Sequence, residues 1–281
     1  MTPAEKNAVA LFLDLTADYL RDGYARERIY NFDDDPGAGA SLAGTSPDET
    51  LNGPAEKLPL AYTTEEDDFD EALNQDEAEA LKSPGPDSPE SLAAEIALCR
   101  SCGLCETRTL TVPGEGVSSP LVMVIGEGPG ADEDRAGRPF VGRAGQLLDR
   151  MLDSIGLSRG KNCYIANMVK CRPPGNRDPG PYEINACLPW LERQIKLLKP
   201  GIILCAGRVA AQNLLKTSTG LNALRGNFLE YKQKSDQLTI PLLVTFHPSA
   251  ILREQSLKRP AWEDLKLLKS RLDSLDSPEE E

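Results

Sequence analysis

Residues 121–130 read Leu-Val-Met-Val-Ile-Gly-Glu-Gly-Pro-Gly, an apolar run that ends directly in a glycine-rich turn. Three further apolar runs follow along the chain, at Cys163–Asn167, Ile202–Cys205 and Leu242–Phe246. Short and continuous apolar runs are typical of parallel strands that are buried on both faces. The sequence therefore predicts a short, parallel four-stranded sheet whose first strand is Leu121–Ile125.

Segments with helical spacing separate these runs. Ala144–Ile155, Tyr182–Leu198 and Arg208–Leu215 repeat apolar residues every three to four positions, and Pro260–Leu275 supplies a final helix. This alternation predicts an α/β fold, a three-layer α/β/α sandwich built around the short sheet. Because ligands of such folds bind beyond the carboxyl ends of the strands, we expect functional residues directly after the strands.

Charge is distributed unevenly along the chain. Residues 1–90 carry 22 acidic and 6 basic residues, and residues 273–281 carry 5 acidic residues and no basic one. The intervening residues 91–272 contain 17 acidic and 25 basic residues, a net charge of +8 within a chain whose overall charge is −13. A basic module of this kind fits a nucleic-acid substrate, but charge alone fits an ordinary mixed-charge surface equally well.

The amino-terminal third has a composition of its own. Thr2–Glu5 reads as a capping box with proline at the first helical position, and the apolar stripe behind it predicts an amphipathic helix over residues 1–30. Residues 31–90 are acidic and poor in large apolar side chains, which predicts a disordered linker. The helix and linker could bind a protein partner, or they could be a packed helix and a plain spacer. The predicted functional domain is then 91–272, followed by an acidic tail over 273–281.

Several observations bear on the cellular compartment. No segment approaches the roughly 20 apolar residues of a membrane span. The apolar run near the amino terminus is flanked by acidic residues, unlike a signal peptide. We therefore expect a cytoplasmic protein with no membrane partner, in which thiols stay reduced.

The cysteines form a second pattern. Cys99 and Cys102 are a close pair, Cys105 follows at the same interval, and Cys171 and Cys187 come later. Four such ligands from two distant segments could hold zinc or an iron–sulfur cluster, and their spacing does not distinguish the two. The remaining two cysteines fall inside predicted strands, where a buried apolar thiol is the natural interpretation.

Polar or aromatic residues follow the predicted strands. Phe140 stands on a glycine-rich loop between two arginines, where it could anchor the loop or stack on a base. Asn167 ends the second strand and could present both an acceptor and a donor to the edge of a base, or it could cap its own loop. His247, the single histidine of the chain, follows the fourth strand at the predicted pocket.

Taken in order, these motifs resemble family 4 of the uracil-DNA glycosylases, the iron–sulfur group of bacteria and archaea. The resemblance extends from about Cys99 to Leu272 and leaves residues 1–90 unexplained. It is carried by Cys99-x-x-Cys102, Gly126–Gly130 with Glu133, Gly137–Gly145, Asn167–Arg177, Cys187 and His247–Ala250. It implies a monomeric DNA-repair enzyme that hydrolyses the N-glycosidic bond of uracil in single- or double-stranded DNA and leaves an abasic site.

The resemblance also implies the roles of individual residues. Phe140 would stack on a flipped uracil, Asn167 would bind its edge, and Glu133 would crowd the C5 position and exclude thymine. Glu127 and Asn176 would lie near the scissile bond, with Asn176 positioning water. His247 would donate a hydrogen bond to O2 of the departing base. The backbone amides of Gly128 and Gly130 would assist, and a [4Fe–4S] cluster would be held by Cys99, Cys102, Cys171 and Cys187.

Position and charge suggest which residues contact DNA. Ile251 or Leu252 could fill the space left by the flipped base, or both could be core residues. The candidates for contacts to the phosphates are Arg138, Arg143, Lys170, Arg172, Arg177 and Arg253.

Two alternative functions stay open from the sequence. A related branch of the superfamily bonds covalently to its DNA through a histidine in a basic insertion, and this chain has neither such an insertion nor a second histidine. The other alternative is a non-catalytic iron–sulfur adaptor whose acidic arm binds a protein.

Overall fold

A computed structural model of the protein describes residues 87–233 and 239–276. The predicted amphipathic helix over 1–30 and nearly all of the predicted linker over 31–90 lie outside the described residues. Helix α1, Pro89–Ala97, is capped by Ser88, so this helix begins just before the predicted boundary at residue 91. At the other end, the last helix continues to Asp276 and takes in the start of the predicted acidic tail.

The described residues form a six-stranded sheet in the order β1-β3-β2-β4-β6-β5. The four inner strands are parallel: β2 (Val122–Gly126), β3 (Cys163–Asn167), β4 (Ile202–Ala206) and β6 (Thr239–Thr245). They are the four predicted strands, and the α/β class is confirmed.

The predicted number of strands was wrong, because two edge strands pair antiparallel with the inner four. β1, Glu115–Gly116, has only two residues and pairs with β3. β5, Phe228–Lys232, pairs with β6 and alternates between exposed and covered side chains. Neither is a continuous apolar run, which is why a search for fully buried strands does not detect them.

Helices cover both faces of the sheet. After α1, the α-helices are α2 (Ala131–Ala136), α3 (Arg143–Asp153), α4 (Pro181–Leu198), α5 (Arg208–Leu215), α6 (Leu221–Leu224), α7 (Pro248–Arg253) and α8 (Lys258–Asp276). Along β2, Met123 and Ile125 pack with α4 and α5, while Val122 and Val124 pack with α3 and α8. This alternation produces two apolar layers, as expected for a three-layer sandwich. Among the described residues, no helix combines the length and the apolar character that a bilayer crossing requires.

Candidate active site

A cavity of about 300 Å³ lies at the carboxyl ends of β2, β3 and β6. This is the edge of the sheet at which an α/β fold binds its ligands, and the volume suits one small ring-shaped molecule. Ten residues named from the sequence line it: Glu127, Gly128, Gly130, Glu133, Phe140, Asn167, Asn176, Arg177, His247 and Arg253.

Asn167, at the end of β3, is 1% exposed and presents an unsatisfied acceptor. Its Oδ1 atom has no hydrogen-bond partner within residues 87–233 and 239–276. Gly126 makes this placement possible, since a Cβ atom there would lie 2.5 Å from Oδ1 and 2.6 Å from Cζ of Phe140. A buried carbonyl oxygen without a partner costs free energy, so the site is built to receive a donor from a ligand.

The backbone of Phe140 has φ at 53°, a conformation that residues with a side chain rarely adopt. Its ring is 5.6 Å from the imidazole of His247, at an interplanar angle of 32°. Gly145 allows the close packing, because a Cβ atom there would lie 1.8 Å from the Phe140 carbonyl oxygen. Such strain costs about 1–3 kcal/mol and persists only where the surroundings impose it.

The carboxylate of Glu133 orders the loop that carries Phe140. Oε1 accepts hydrogen bonds from the backbone N–H groups of Val141 and Gly142, each at 3.0 Å. Oε2 accepts one from Gly130 at 3.1 Å. Glu133 therefore connects the glycine-rich turn after β2 to the Phe140 loop, besides lining the cavity.

His247 caps helix α7, and this contact fixes which ring nitrogen carries the proton. Nδ1 accepts a hydrogen bond from the backbone N–H of Ser249 at 3.2 Å and lies 2.8 Å from its Oγ. Burial, together with the nearby charge of Arg253, lowers the His247 pKa to about 4. The ring is therefore neutral near pH 7, and its proton is on Nε2, where it can be donated to a ligand.

Glu127 follows β2 and has an unusual environment for a carboxyl group. Burial and the neighbouring carboxylate of Asp178 raise its pKa to about 7, against the opposing charges of Arg208 and Arg253. Asp178 in turn accepts a hydrogen bond from Nη2 of Arg208 at 2.6 Å. A carboxyl group that titrates near neutral pH can accept or release a proton during a reaction.

Asn176 lies at the rim of the cavity. It is exposed, has φ at 54°, and accepts a hydrogen bond from Nε of Arg172 at 2.7 Å. Its side chain is therefore held at the entrance rather than in the interior.

The four predicted cluster ligands line a second cavity, together with Cys105. Cys99 and Cys102 come from the segment after α1, Cys171 from the loop after β3, and Cys187 from α4. Three of these sulfurs accept N–H hydrogen bonds: Cys171 from Arg108 at 3.1 Å, Cys187 from backbone Lys170 at 3.2 Å, and Cys99 from Trp190 at 3.3 Å.

The donor set of this second cavity fits an iron–sulfur cluster. Four cysteines supply its full coordination, and N–H groups directed at the sulfurs stabilise thiolate charge. Among the described residues, no three His, Cys, Asp or Glu side chains converge on a single metal ion. A cluster distributes its ligands over four separate iron atoms, so its cysteines do not need to converge in that way.

Residues 113–266 match the family model described as the uracil DNA glycosylase superfamily. A type-4 uracil-DNA glycosylase of Archaeoglobus fulgidus is 40% identical over 184 residues, 64% of this chain and 91% of the relative. One of Thermotoga maritima is also 40% identical over 184 residues, 64% of this chain and 93% of the relative. The chain belongs to the type-4 family of this superfamily. A type-5 enzyme of Thermus thermophilus is 36% identical over 118 residues, only 37% of this chain and 53% of the relative.

Three expectations drawn from the type-4 resemblance or from charge need correction. Lys170 cannot contact a phosphate, because it is 1% exposed and its Nζ donates to the Asn167 carbonyl oxygen at 2.9 Å and to Gln194 at 2.6 Å. Ile251 is fully buried, so of the two wedge candidates only the half-buried Leu252 remains. The N–H of Gly130 is already bonded to Glu133, so it does not serve a ligand.

The cationic candidates of this type-4 chain differ in their surroundings. Arg177 and Arg253 line the active-site cavity, whereas Arg143 is exposed at the start of α3. Arg138 is exposed and pairs with Glu115 at 2.7 Å, and Arg177 pairs with Glu183 at 2.6 Å. Their contacts to DNA stay a prediction.

Sequence reasoning missed three residues that act on the type-4 site. Arg159 donates to the carbonyl oxygens of Pro139 and Phe140, Ser249 orients the His247 ring, and Asp178 raises the Glu127 pKa. Ser249 could have been found, since a serine two residues after a helix-capping histidine is within reach of its ring. Arg159 and Asp178 depend on loop paths that no local pattern encodes.

Proposed function

We propose that this protein is a uracil-DNA glycosylase of base excision repair, which hydrolyses the bond between uracil and deoxyribose and leaves an abasic site. The observation that carries the proposal is the buried Oδ1 of Asn167, which lines a cavity together with Phe140 and His247 and has no partner among the described residues. The type-4 relatives support the same activity.

Selection of uracil follows from the chemistry of the Asn167 amide. Its Oδ1 accepts from N3–H of uracil, and its Nδ2 donates to O4. Cytosine presents an acceptor at N3 and an amino group at C4, so both contacts are reversed. A site that leaves buried polar groups unpaired discriminates by about 10⁴–10⁵-fold. In this proposal Phe140 stacks on the base, and Glu133, which lines the same cavity, excludes a C5 methyl group.

Cleavage is driven mainly by stabilisation of the leaving base. The C1′–N1 bond breaks with its electron pair on uracil, and negative charge accumulates on O2. Nε2–H of neutral His247 donates to that oxygen, and one such fixed donor contributes about 2.7–4 kcal/mol. We assign Glu127 to the vicinity of the scissile bond, where its carboxylate stabilises the cationic sugar, and Asn176 to the positioning of the water. Gly128 lines the same cavity, and its backbone N–H assists His247 in stabilising the departing base.

We further propose that Cys99, Cys102, Cys171 and Cys187 hold a [4Fe–4S] cluster. When bound, the cluster supplies a covalent tie between the segment after α1 and the loop that follows β3. Asn167 ends β3 and Asn176 lies on this loop, so the tie stabilises the site without taking part in the reaction. Iron and acid-labile sulfide in the purified protein, with zinc absent, is the expected elemental analysis.

The remaining proposals concern partners. Arg138, Arg143, Arg172, Arg177 and Arg253 contact phosphates, and Leu252 fills the space that the flipped uracil leaves. The protein acts as a monomer, and its acidic residues 1–90 bind another protein. Seven free cysteines favour a reducing compartment, which we take to be the cytoplasm.

The deciding experiment measures release of free uracil from single- and double-stranded oligonucleotides. The intact protein should release uracil but not thymine, and the variant with His247→Ala and Asn167→Ala should release none. A hypoxanthine substrate tests for activity on other damaged bases. No release by the intact protein removes the proposal in favour of an iron–sulfur adaptor. A protein–DNA adduct that survives a denaturing gel would instead indicate the covalent branch.

A further inference from the structure

Glu127, Asp178 and Arg208 form a chain of charged groups beside the cavity, and they come from the ends of three different strands. Glu127 follows β2, Asp178 lies on the loop after β3, and Arg208 begins α5 directly after β4. Asp178 lies close enough to Glu127 for its carboxylate to raise the Glu127 pKa. Asp178 Oδ2 is 2.6 Å from Nη2 of Arg208.

Neighbouring carboxylates repel each other, which favours the protonated form of the more buried one, Glu127. Arg208 pairs with Asp178, so the positive charge of the cluster lies next to the outer carboxyl group. Glu127 lines the cavity and is half-buried, whereas Asp178 and Arg208 side chains are 62% and 53% exposed. The inner carboxyl group thus faces the substrate, and the outer pair faces solvent.

We propose that Glu127 is the base that takes the proton of the attacking water, and that Asp178 and Arg208 are positioning residues whose charges act on its carboxyl group. This inference rests on the proposed glycosylase activity. The water oxygen bonds to C1′, the C1′–N1 electron pair leaves with uracil, and the water proton goes to the Glu127 carboxylate. Solvent then returns that proton to the departed uracil anion.

The groups that face Glu127 act in opposite directions. The Asp178 carboxylate raises the Glu127 pKa, while Arg208 at the start of α5 and Arg253 on α7 lower it. His247 is neutral near pH 7 and contributes no charge. Because the pKa of Glu127 is near 7, activity that needs the ionised form falls as the pH drops through that value, by about tenfold per pH unit below it.

The test measures single-turnover uracil release between pH 5 and pH 9. The wild-type rate should fall as the pH drops through about 7, which we call the acid limb of the profile. Glu127→Gln should react slowly, at a rate that does not depend on pH. Asp178→Asn should move the limb to lower pH, because the repelling charge is gone. Arg208→Met should move it to higher pH, because an attracting charge is gone. Opposite shifts from two exposed residues would not follow from a loss of folding.

The matched control is another exposed ion pair of the same length. Lys269 Nζ is 2.6 Å from Asp273 Oδ1 on α8, far along the chain from the cavity residues. Asp273→Asn and Lys269→Met change the net charge equally and should leave the limb unmoved. The inference is overturned if the enzyme stays active but the pH at which activity falls is unchanged in Asp178→Asn and Arg208→Met. It is also overturned if that pH shifts equally in the two control variants. A wild type that releases no uracil at any pH overturns the proposed function itself.

Discussion

The guanidinium group of Arg159 holds the backbone of Phe140, with Nη2 3.0 Å from the Phe140 carbonyl oxygen. Nη1 donates to the preceding carbonyl, of Pro139, at 2.9 Å. Arg159 is itself fixed by Asp149, at 2.7 Å, and its side chain is only 16% exposed. Phe140 needs this support because its φ of 53° is unfavourable for a residue with a side chain.

We predict that Arg159→Gln weakens both the fold and the site. Loss of two charged hydrogen bonds should lower the free energy of unfolding by about 1.5–3 kcal/mol. Release of the Phe140 loop should lower kcat/KM for uracil excision, mainly through a higher KM, because the stacking surface is no longer held. Denaturant titration and excision kinetics measure the two effects. The control is Arg135→Gln, which removes an exposed arginine that pairs with Asp132. If both variants lose stability and activity to the same extent, Arg159 does not support the Phe140 loop.

The position of Gly126 yields a second prediction. A methyl group at this residue would lie 2.5 Å from Asn167 Oδ1 and 2.6 Å from the Phe140 ring, so one of the two must move. Gly126→Ala should lower uracil excision by at least about tenfold and cost about 1–3 kcal/mol of unfolding free energy. Gly160→Ala, where a Cβ atom meets nothing within 4 Å, is the control. Full activity of Gly126→Ala would mean that the base does not bind between these two side chains.

His247 leads to a third prediction, on hydrogen-bond donation. Its pKa of about 4 keeps the ring neutral throughout the range in which the enzyme would be assayed. His247→Ala should reduce the single-turnover rate by about 10²–10³-fold, because one donor to the leaving group is lost. His247→Gln retains an N–H donor and should lose less. If the activity of Glu127→Gln instead rises as the pH falls, and this rise disappears in Glu127→Gln with His247→Gln, the histidine must act as a cation.

The sequence predicted the inner sheet and most of the cavity because both depend on local pattern. Continuous apolar runs identify β2, β3, β4 and β6, and the residues that follow parallel strands meet at one edge. Asn167 and His247 could be placed together for that reason alone. Edge strands β1 and β5 lack such a pattern, since only one face or one partner constrains them.

The burial of individual side chains and their long-range pairing could not be predicted from the sequence. Lys170 precedes the arginines of an exposed loop, yet its side chain turns inward to Gln194, 24 residues away. Glu127 and Asp178 are 51 positions apart, so their contact follows from the path of the loop after β3. Such contacts depend on the three-dimensional path of the loops, so neither net charge nor residue spacing can indicate them.

Base selection gives a fourth prediction. Asn167→Asp replaces the donor to uracil O4 with a carboxylate oxygen, so a favourable contact becomes a repulsive one. Uracil excision should fall by at least about a hundredfold, since a buried pair is broken. The carboxylate can accept from the amino group of cytosine, so the ratio of cytosine to uracil release should rise. Chromatography of the released bases measures this ratio, with the exposed Asn185→Asp as control; an unchanged ratio would exclude Asn167 from base reading.

The fifth prediction separates the four proposed cluster ligands from Cys105, which lines the same cavity. Cys171 is buried and accepts a hydrogen bond from Arg108, whereas no N–H bond to the Cys105 sulfur occurs among the described residues. Cys171→Ser should lose most of its iron and unfold at a lower temperature, because the tie to the loop after β3 is broken. Cys105→Ser should keep the iron content and the Tm of wild type. Iron analysis and calorimetry on both variants measure this difference. Loss of iron from Cys105→Ser, with retention in Cys171→Ser, would assign the fourth ligand to Cys105 instead.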